Sequence, residues 1–379
     1  MENAEKKKFN IGDFYRLCPA AHTEGFISAA IIILHLVLRH DKDLMQRMSE
    51  NFVRPIHRFM SHLCSFFRFS LAEVIILLAA LFVAGIIAAG IIKLVRRKHR
   101  LRTAYIMLQR LLAFALLVYA LFSLLWGVYY YGDDFITVSG LESRKISTQQ
   151  LETVTEYFAD MAGRYSHIVP RDENGVYTAD REYILDRSPE VYKNIEKELP
   201  ALSGEPLRAK PFHFSKILSY TDFTGFFFPF TAEANVNMDF PPSLFPATVA
   251  HELAHQRGVS REQDANFCAV ISSLSFGDPD YIYSAALLAY THLGNALHGA
   301  DYEAWEKIYM TLDENVLRDF AANREYWQRF EGPARRTMNT VYDGFLKSYD
   351  QKLGLKSYGA CVDLLVNYYY EEARLWKEG

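Results

Sequence analysis

Two histidines and a glutamate carry the chemistry open to this sequence. Residues Ala250 to Gly258 read AHELAHQRG, so His251, Glu252 and His255 form an H-E-x-x-H pattern. Four residues apart on a helix, two side chains share one face, and two imidazoles there can hold one metal ion. Glu252 follows the first imidazole directly, where it can reach a metal-bound water and take its proton. Catalytic zinc uses three nitrogen or oxygen ligands and keeps a fourth position open. Zn2+ is therefore the expected cofactor, and hydrolysis of a peptide bond the expected reaction.

The third ligand is expected just downstream. Gly258 lets the backbone double back after the metal helix. Ser260, with Gln263 three residues on, reads as a capping box that starts a new helix. Glu262 then falls in the first turn and is assigned as the third ligand. A carboxylate there would also suit the helix dipole with no metal at all. Asp264 is the nearest rival ligand, and Glu233 and His292 are distant ones. Asn266, one turn beyond Glu262, is placed to orient it or a metal-bound imidazole. Cys268 falls off that face and reads as core. A donor for the developing oxyanion is expected among Tyr290, His292, Tyr342 and Tyr358, with Tyr358 assigned as catalytic beside Glu252.

These residues need elements to hold them. Pro241, Pro242 and Ser243 start the metal helix and Gly258 stops it, a span of about fifteen residues. Upstream, residues 212–220 read as a strand. Residues 223–237 are aromatic and interrupted by Gly225 and Pro229, as an edge strand or loop would be. Within them, residues 227–237 are a candidate edge that binds substrate backbone by strand addition, with an aromatic packing layer as the equal alternative. Helices are expected at 147–164, 190–199, 260–276, 280–298, 302–330, 333–353 and 357–377. Residues 281–298 are fairly apolar but contain His292, Asn295 and His298, which suits a buried helix better than a membrane span.

Half of the 379 residues are hydrophobic, and they crowd into the first third. Residues 74–92 carry no charge, and residues 111–131 form a second such run ending in Trp126 and Tyr129 to Tyr131, an interfacial aromatic belt. Each run is long enough to cross roughly 30 Å of hydrocarbon. Residues 26–38 are short and contain His35, and they make a third span only when 17–25 join them. Residues 93–102 are densely basic and are expected on the cytoplasmic side. The expected organisation is a cytoplasmic tail (1–16), a membrane region with two or three helices (17–131) and an extracytoplasmic domain (132–379). The net charge of −4 argues against a nucleic-acid partner. Cys18, Cys64, Cys268 and Cys361 are scattered and read as buried free thiols. The expected fold class is mainly α, with transmembrane helices ahead of a zincin-like α+β metallopeptidase domain that is mostly helical after the metal helix.

The ordered combination resembles a known family. It joins a membrane region ending in FSLLWGVYY (122–130) to FTAEANVN (230–237), HELAHQRG (251–258), REQDANF (261–267) and KSYG (356–359). This is similar to domain-of-unknown-function family 3810, bacterial membrane proteins regarded as zinc metallopeptidases. The resemblance runs from about Leu71 onward, with the metal segment its specific part. It implies a bacterial membrane protein of that fold and active-site class and names no substrate; the charge pattern and the motif add the expectation of a multi-pass protein of the cell membrane with its catalytic domain outside, acting on a peptide or protein substrate, with cell-envelope proteins one such class. Residues 262–266 (EQDAN) also resemble the element by which gluzincin peptidases supply a zinc-binding Glu, which corresponds to Glu262, with Asn266 beside it. One departure is clear: gluzincins place that Glu much farther from H-E-x-x-H. The spacing of Gly258 is that of metzincins, whose third ligand would fall at Arg261, a residue that cannot bind zinc. Two other readings compete. A membrane sensor or binding protein would want a sizeable cytoplasmic domain, which the sequence does not offer. A structural zinc site has no use for a base between its ligands.

Overall fold

A long apolar run must satisfy its backbone internally, and a helix does so within one segment. In a computed structural model that describes residues 14–96, 99–142, 144–349 and 361–379, three such helices stand at the start of the chain: α1 (Pro19–Leu38), then, after a shorter α2 (Arg54–Ser65), α3 (Leu71–Arg96) and α4 (Arg100–Leu125). α1, α3 and α4 are each long and apolar enough to cross a membrane. α1 and α3 both pack along α4, while most of α3 leaves its apolar side chains uncovered by protein. The second apolar run ends its helix at Leu125, and the aromatic residues Gly127–Tyr131 form a separate 3-10 turn.

The rest of the chain is helical around one small sheet. α5 (Thr148–Ser166) opens with a capping box between Ser147 and Gln150. The sheet holds β1 (Lys210–Phe212), β2 (Gly225–Phe228) and β3 (Glu233–Asn237) in the order β1-β3-β2, with β3 parallel to β1 and antiparallel to β2. α6 (Phe245–Gln256), which carries His251, Glu252 and His255, follows, then α7 (Glu262–Phe276), α8 (Pro279–Ala300), α9 (Tyr302–Met310), α10 (Glu314–Gln328), α11 (Pro333–Ser348) and α12 (Val362–Glu378). α8 runs through the core, packed on α5, α6 and α7. Its side chains Tyr281, Tyr283, Leu287 and Leu293 are fully buried, as a core helix requires.

Several expectations need correcting. Residues 212–220 are not a strand: β1 ends at Phe212, and Ser215–Tyr220 is a short helix. β3 is not an edge. It is the central strand, fully buried, and the edge beside it is β2. The sequence hides this because β3 carries Glu233, Asn235 and Asn237, which look like exposed residues. Each is in fact paired. Glu233 accepts the Leu71 and Ala72 N–H groups at the start of α3, and Asn235 accepts from the Ser70 hydroxyl at 2.6 Å. Glu233 therefore caps a membrane-length helix and does not face α6. The expected helix 190–199 survives only as Ile195–Glu198. The expected helix 302–330 breaks into α9 and α10 at Thr311 to Asp313, where Asp313 caps α10 through the Asn315 N–H.

Candidate metal centre

α6 begins at Phe245, with Pro246 in its first turn, after a 3-10 turn at Pro242–Leu244. It is thus shorter than expected, at 12 residues. Nearly all of it is buried, so its polar side chains must find partners inside. His251 and His255 stand one turn apart with their rings edge to face, centroids 4.7 Å apart. The chain then turns back at Gly258, where φ is +91°. A Cβ at that position would lie 3.0 Å from the Tyr129 ring, so space as well as backbone angle favours glycine. The expected capping box does not form. α7 starts at Glu262 with Arg261 as its N-cap. The Ser260 hydroxyl donates to the Tyr129 carbonyl instead, at 3.3 Å.

The turn brings Glu262 onto the two histidines. One ligand atom from each of His251, His255 and Glu262 lies within 4.8 Å of the others. The Glu262 Oε2 atom is 3.1 Å from His251 Nε2 and 3.6 Å from His255 Nε2. The other ring nitrogens are engaged. His255 Nδ1 lies 2.6 Å from the Val259 carbonyl, which only accepts, so Nδ1 carries the proton. His251 Nδ1 is 2.8 Å from Asn266 Oδ1. Each ring then turns its Nε2 toward the same carboxylate, as a lone pair where the ring is neutral and as an N–H where it is protonated. A proton at Nε2, or a cation in its place, is what this convergence requires. The residues fit a three-ligand zinc site with an open fourth position, and both imidazoles already have the hydrogen bonds that orient metal-bound histidine.

The protonation pattern follows from burial and that shared carboxylate. Burial pushes the His255 imidazole down, but Glu262 outweighs it and holds it at about 9. Burial keeps His251 below its ordinary value. Burial also works against the Glu262 carboxylate, yet its hydrogen bonds to both histidines keep it well below the usual range.

Glu252 lies beside this group. Burial pushes its carboxyl up to about 8, and its Oε2 atom has no hydrogen-bond partner among the described residues. Gly225, the first residue of β2, is what admits it. A Cβ there would stand 2.7 Å from Glu252 Oε1. Glu252 and the three ligand candidates line a cleft of about 610 Å3, bounded by β2 on one side and by α8 and α11 on the others.

The remaining candidates separate clearly. Asp264 points away, its Oδ2 atom accepting the Phe135 N–H at 3.4 Å. His292 lines the cleft, and burial pushes it down to about 4, so it stays neutral. Tyr290 is buried outside the cleft lining, with its ring against Phe320. Tyr342 enters the site from α11 and donates its hydroxyl to Glu262 Oε1 at 2.8 Å. Tyr358 and the KSYG segment lie outside the described residues. Asn266 orients His251. Cys268 is fully buried, and all four cysteines are buried free thiols. Two contributors carry no local signal in the sequence. One is Gly225 under Glu252. The other is Trp126, whose ring meets His255 edge-on at 5.9 Å from just beyond the end of α4.

A family model described as a protein of unknown function, DUF3810, matches residues 48–366. No curated protein and no solved structure matches the chain.

Proposed function

The chain belongs to the DUF3810 family, and from its own residues we propose that it is a membrane-anchored zinc metallopeptidase with a zincin-like catalytic domain. The observation that carries this reading is the convergence of His251, His255 and Glu262 with a buried Glu252 beside them on one cleft, its Oε2 atom without a hydrogen-bond partner among the described residues. His251, His255 and Glu262 would hold the zinc. When bound, zinc lowers the pKa of a water and polarises the substrate carbonyl. Glu252 takes the proton from the attacking water and hands it to the leaving nitrogen. Asn266 and the Val259 carbonyl hold the two imidazoles in place while this happens. β2, the edge strand along the cleft, offers backbone groups to an extended substrate. His292, which lines the cleft, and Tyr358, outside the described residues, are the donors we assign to the developing oxyanion, while the Tyr342 hydroxyl is taken up by Glu262. Three membrane-length helices ahead of the domain support residence in a bacterial cell membrane, and the basic stretch 93–102 supports a cytoplasmic loop there with the domain outside. A cell-envelope protein is then the substrate class within reach.

The test compares wild type with Glu252→Gln. Both should retain zinc at equal stoichiometry, while cleavage of casein falls by about 10^2 to 10^4 in the variant. Equal cleavage by the two proteins would overturn the mechanism. Zinc bound by both, with neither cutting any peptide, would favour a binding or sensing role.

A further inference from the structure

The wall of the cleft is made partly by a membrane-length helix. Phe122, in the last turn of α4, lines the cleft, and so does Trp126 one residue past its end. Trp126 is the residue that touches His255. The proposed metal therefore sits within one side chain of the point where α4 would leave the hydrocarbon. α11 closes the same corner: Phe345 packs on Phe122 with ring centroids 5.4 Å apart, and Tyr342 from the same helix reaches Glu262.

A further part of the rim is tied to α3. Phe214 N–H donates to Glu73 in the first turn of α3 at 2.8 Å, and His213 Nδ1 lies 3.0 Å from the same carboxylate. The short helix that follows leaves Phe214, Ile217 and Tyr220 at 51%, 60% and 54% exposure, and the next residues, Thr221 to Gly225, form the cleft rim. α2 and the π-helical turn Ser49–Val53 that leads into it, between α1 and α3, repeat the pattern. Phe52 from the turn and Ile56, Phe59 and Leu63 from α2 are exposed, while His57, Ser61 and Cys64 are buried. Spaced four, three and four residues apart, they form an apolar stripe like that of a helix lying in the plane of a bilayer surface. Large apolar side chains so close to the ends of membrane-length helices fit the interface and not open water.

We infer that the cleft serves a polypeptide anchored in the same bilayer, cut within a short reach of its own membrane segment. This inference rests on the metallopeptidase reading. A substrate already in the membrane reaches a centre beside Trp126 without a spacer, and the raised effective concentration favours it over free peptide.

The experiment uses the full-length, zinc-loaded protein in vesicles of phosphatidylethanolamine and phosphatidylglycerol. A casein segment is offered free, or fused behind a single transmembrane helix through spacers of about 5 to about 30 residues, roughly 17 to 100 Å when extended. Anchored substrate with the shortest spacers should be cut roughly tenfold or more faster than free peptide at equal bulk concentration. Cleavage that needs the longest spacers, or free peptide cut as fast as any anchored form, would overturn the inference and leave the peptidase reading standing. Cleavage of neither form, with zinc bound, would overturn that reading and this inference with it. A nitroxide on Ile217→Cys gives a readout independent of activity. Quenching by lipid-dissolved oxygen and protection from a water-soluble nickel chelate is expected, and full access to the chelate would refute the placement of the rim.

Discussion

The cluster around Asp319 and the cluster around Glu262 each bury a carboxylate, but the first is neutralised by a permanent guanidinium and the second by a proton on an imidazole. Asp319, on α10, accepts the Tyr177 N–H at 2.9 Å through one oxygen. Its other oxygen takes the Arg171 guanidinium at 3.1 Å and the Tyr283 hydroxyl. Arg171 in turn bonds the Ser166 and Gly175 carbonyls. Donors and a positive charge match the carboxylate. Glu262 is equally buried, but its nearest partners across the centre are two imidazole nitrogens whose opposite nitrogens face acceptors. A network closed by a permanent guanidinium holds the fold, whereas a proton on an imidazole can give way to a cation. Under the proposed function, that difference makes the first cluster structural and the second a binding one.

Breaking each cluster should therefore have different consequences. Asp319→Ala leaves Arg171 buried without its partner and should lower stability by about 3–5 kcal/mol, read as a fall in thermal midpoint in detergent. Zinc per folded molecule should not change. Glu262→Ala should act on zinc first. Zinc affinity should drop by roughly a hundredfold or more, since zinc-binding free energy is shared among few ligands, and the metal-free protein should also lose, below about pH 9, the stability that Glu262 lends through His255. A zinc loss in Asp319→Ala, or full zinc stoichiometry in Glu262→Ala, would erase the distinction drawn between the clusters.

The next effect is on pH. Zinc must displace the proton that Glu262 holds on His255, whose value sits at about 9. Apparent zinc affinity should then rise about tenfold per pH unit between roughly 7 and 8 and level off near 9. The metal-free protein runs the other way. The folded value of His255 lies above its ordinary 6.5, so the stability it contributes is complete below that point and is lost as pH rises through about 9. Competition against a chelator of known pH dependence measures the first trend, and thermal unfolding of the metal-free protein measures the second. An affinity that is flat with pH would mean His255 carries no proton to displace.

The legibility of the centre in the sequence tracks distance along the chain. His251, Glu252, His255, Glu262 and Asn266 lie within sixteen residues, and helix spacing plus one glycine turn brings them together. The long apolar runs were equally plain, because membrane-length helices need only composition and length. The errors came where a partner lies far away. The capping box at Ser260 fails because Tyr129 offers its carbonyl from more than a hundred residues upstream. β3 looked like an edge because the group its glutamate caps, the start of α3, is about 160 residues distant. Tyr342 was only one of several tyrosines until α11 placed its hydroxyl on Glu262.

Tyr342 is also the finest test of the comparison. Its ring is fixed by Phe223, edge-on at 5.1 Å, and by Phe345, stacked at 6.0 Å, so Tyr342→Phe should keep the ring and remove only the hydroxyl. Glu262 Oε1 would then lose the Tyr342 hydroxyl, its donor other than an imidazole among the described residues. In a cluster closed by a permanent guanidinium, losing one such bond costs about 1 kcal/mol of stability and little else. In a centre organised for a cation, the same loss frees the carboxylate to rotate and should weaken zinc by about tenfold, the lower end expected for a residue that orients a ligand. Stability of the metal-free protein should change by less than the zinc affinity does. If the two fall together by the same free energy, Tyr342 serves the fold, and its place beside Glu262 says nothing about metal.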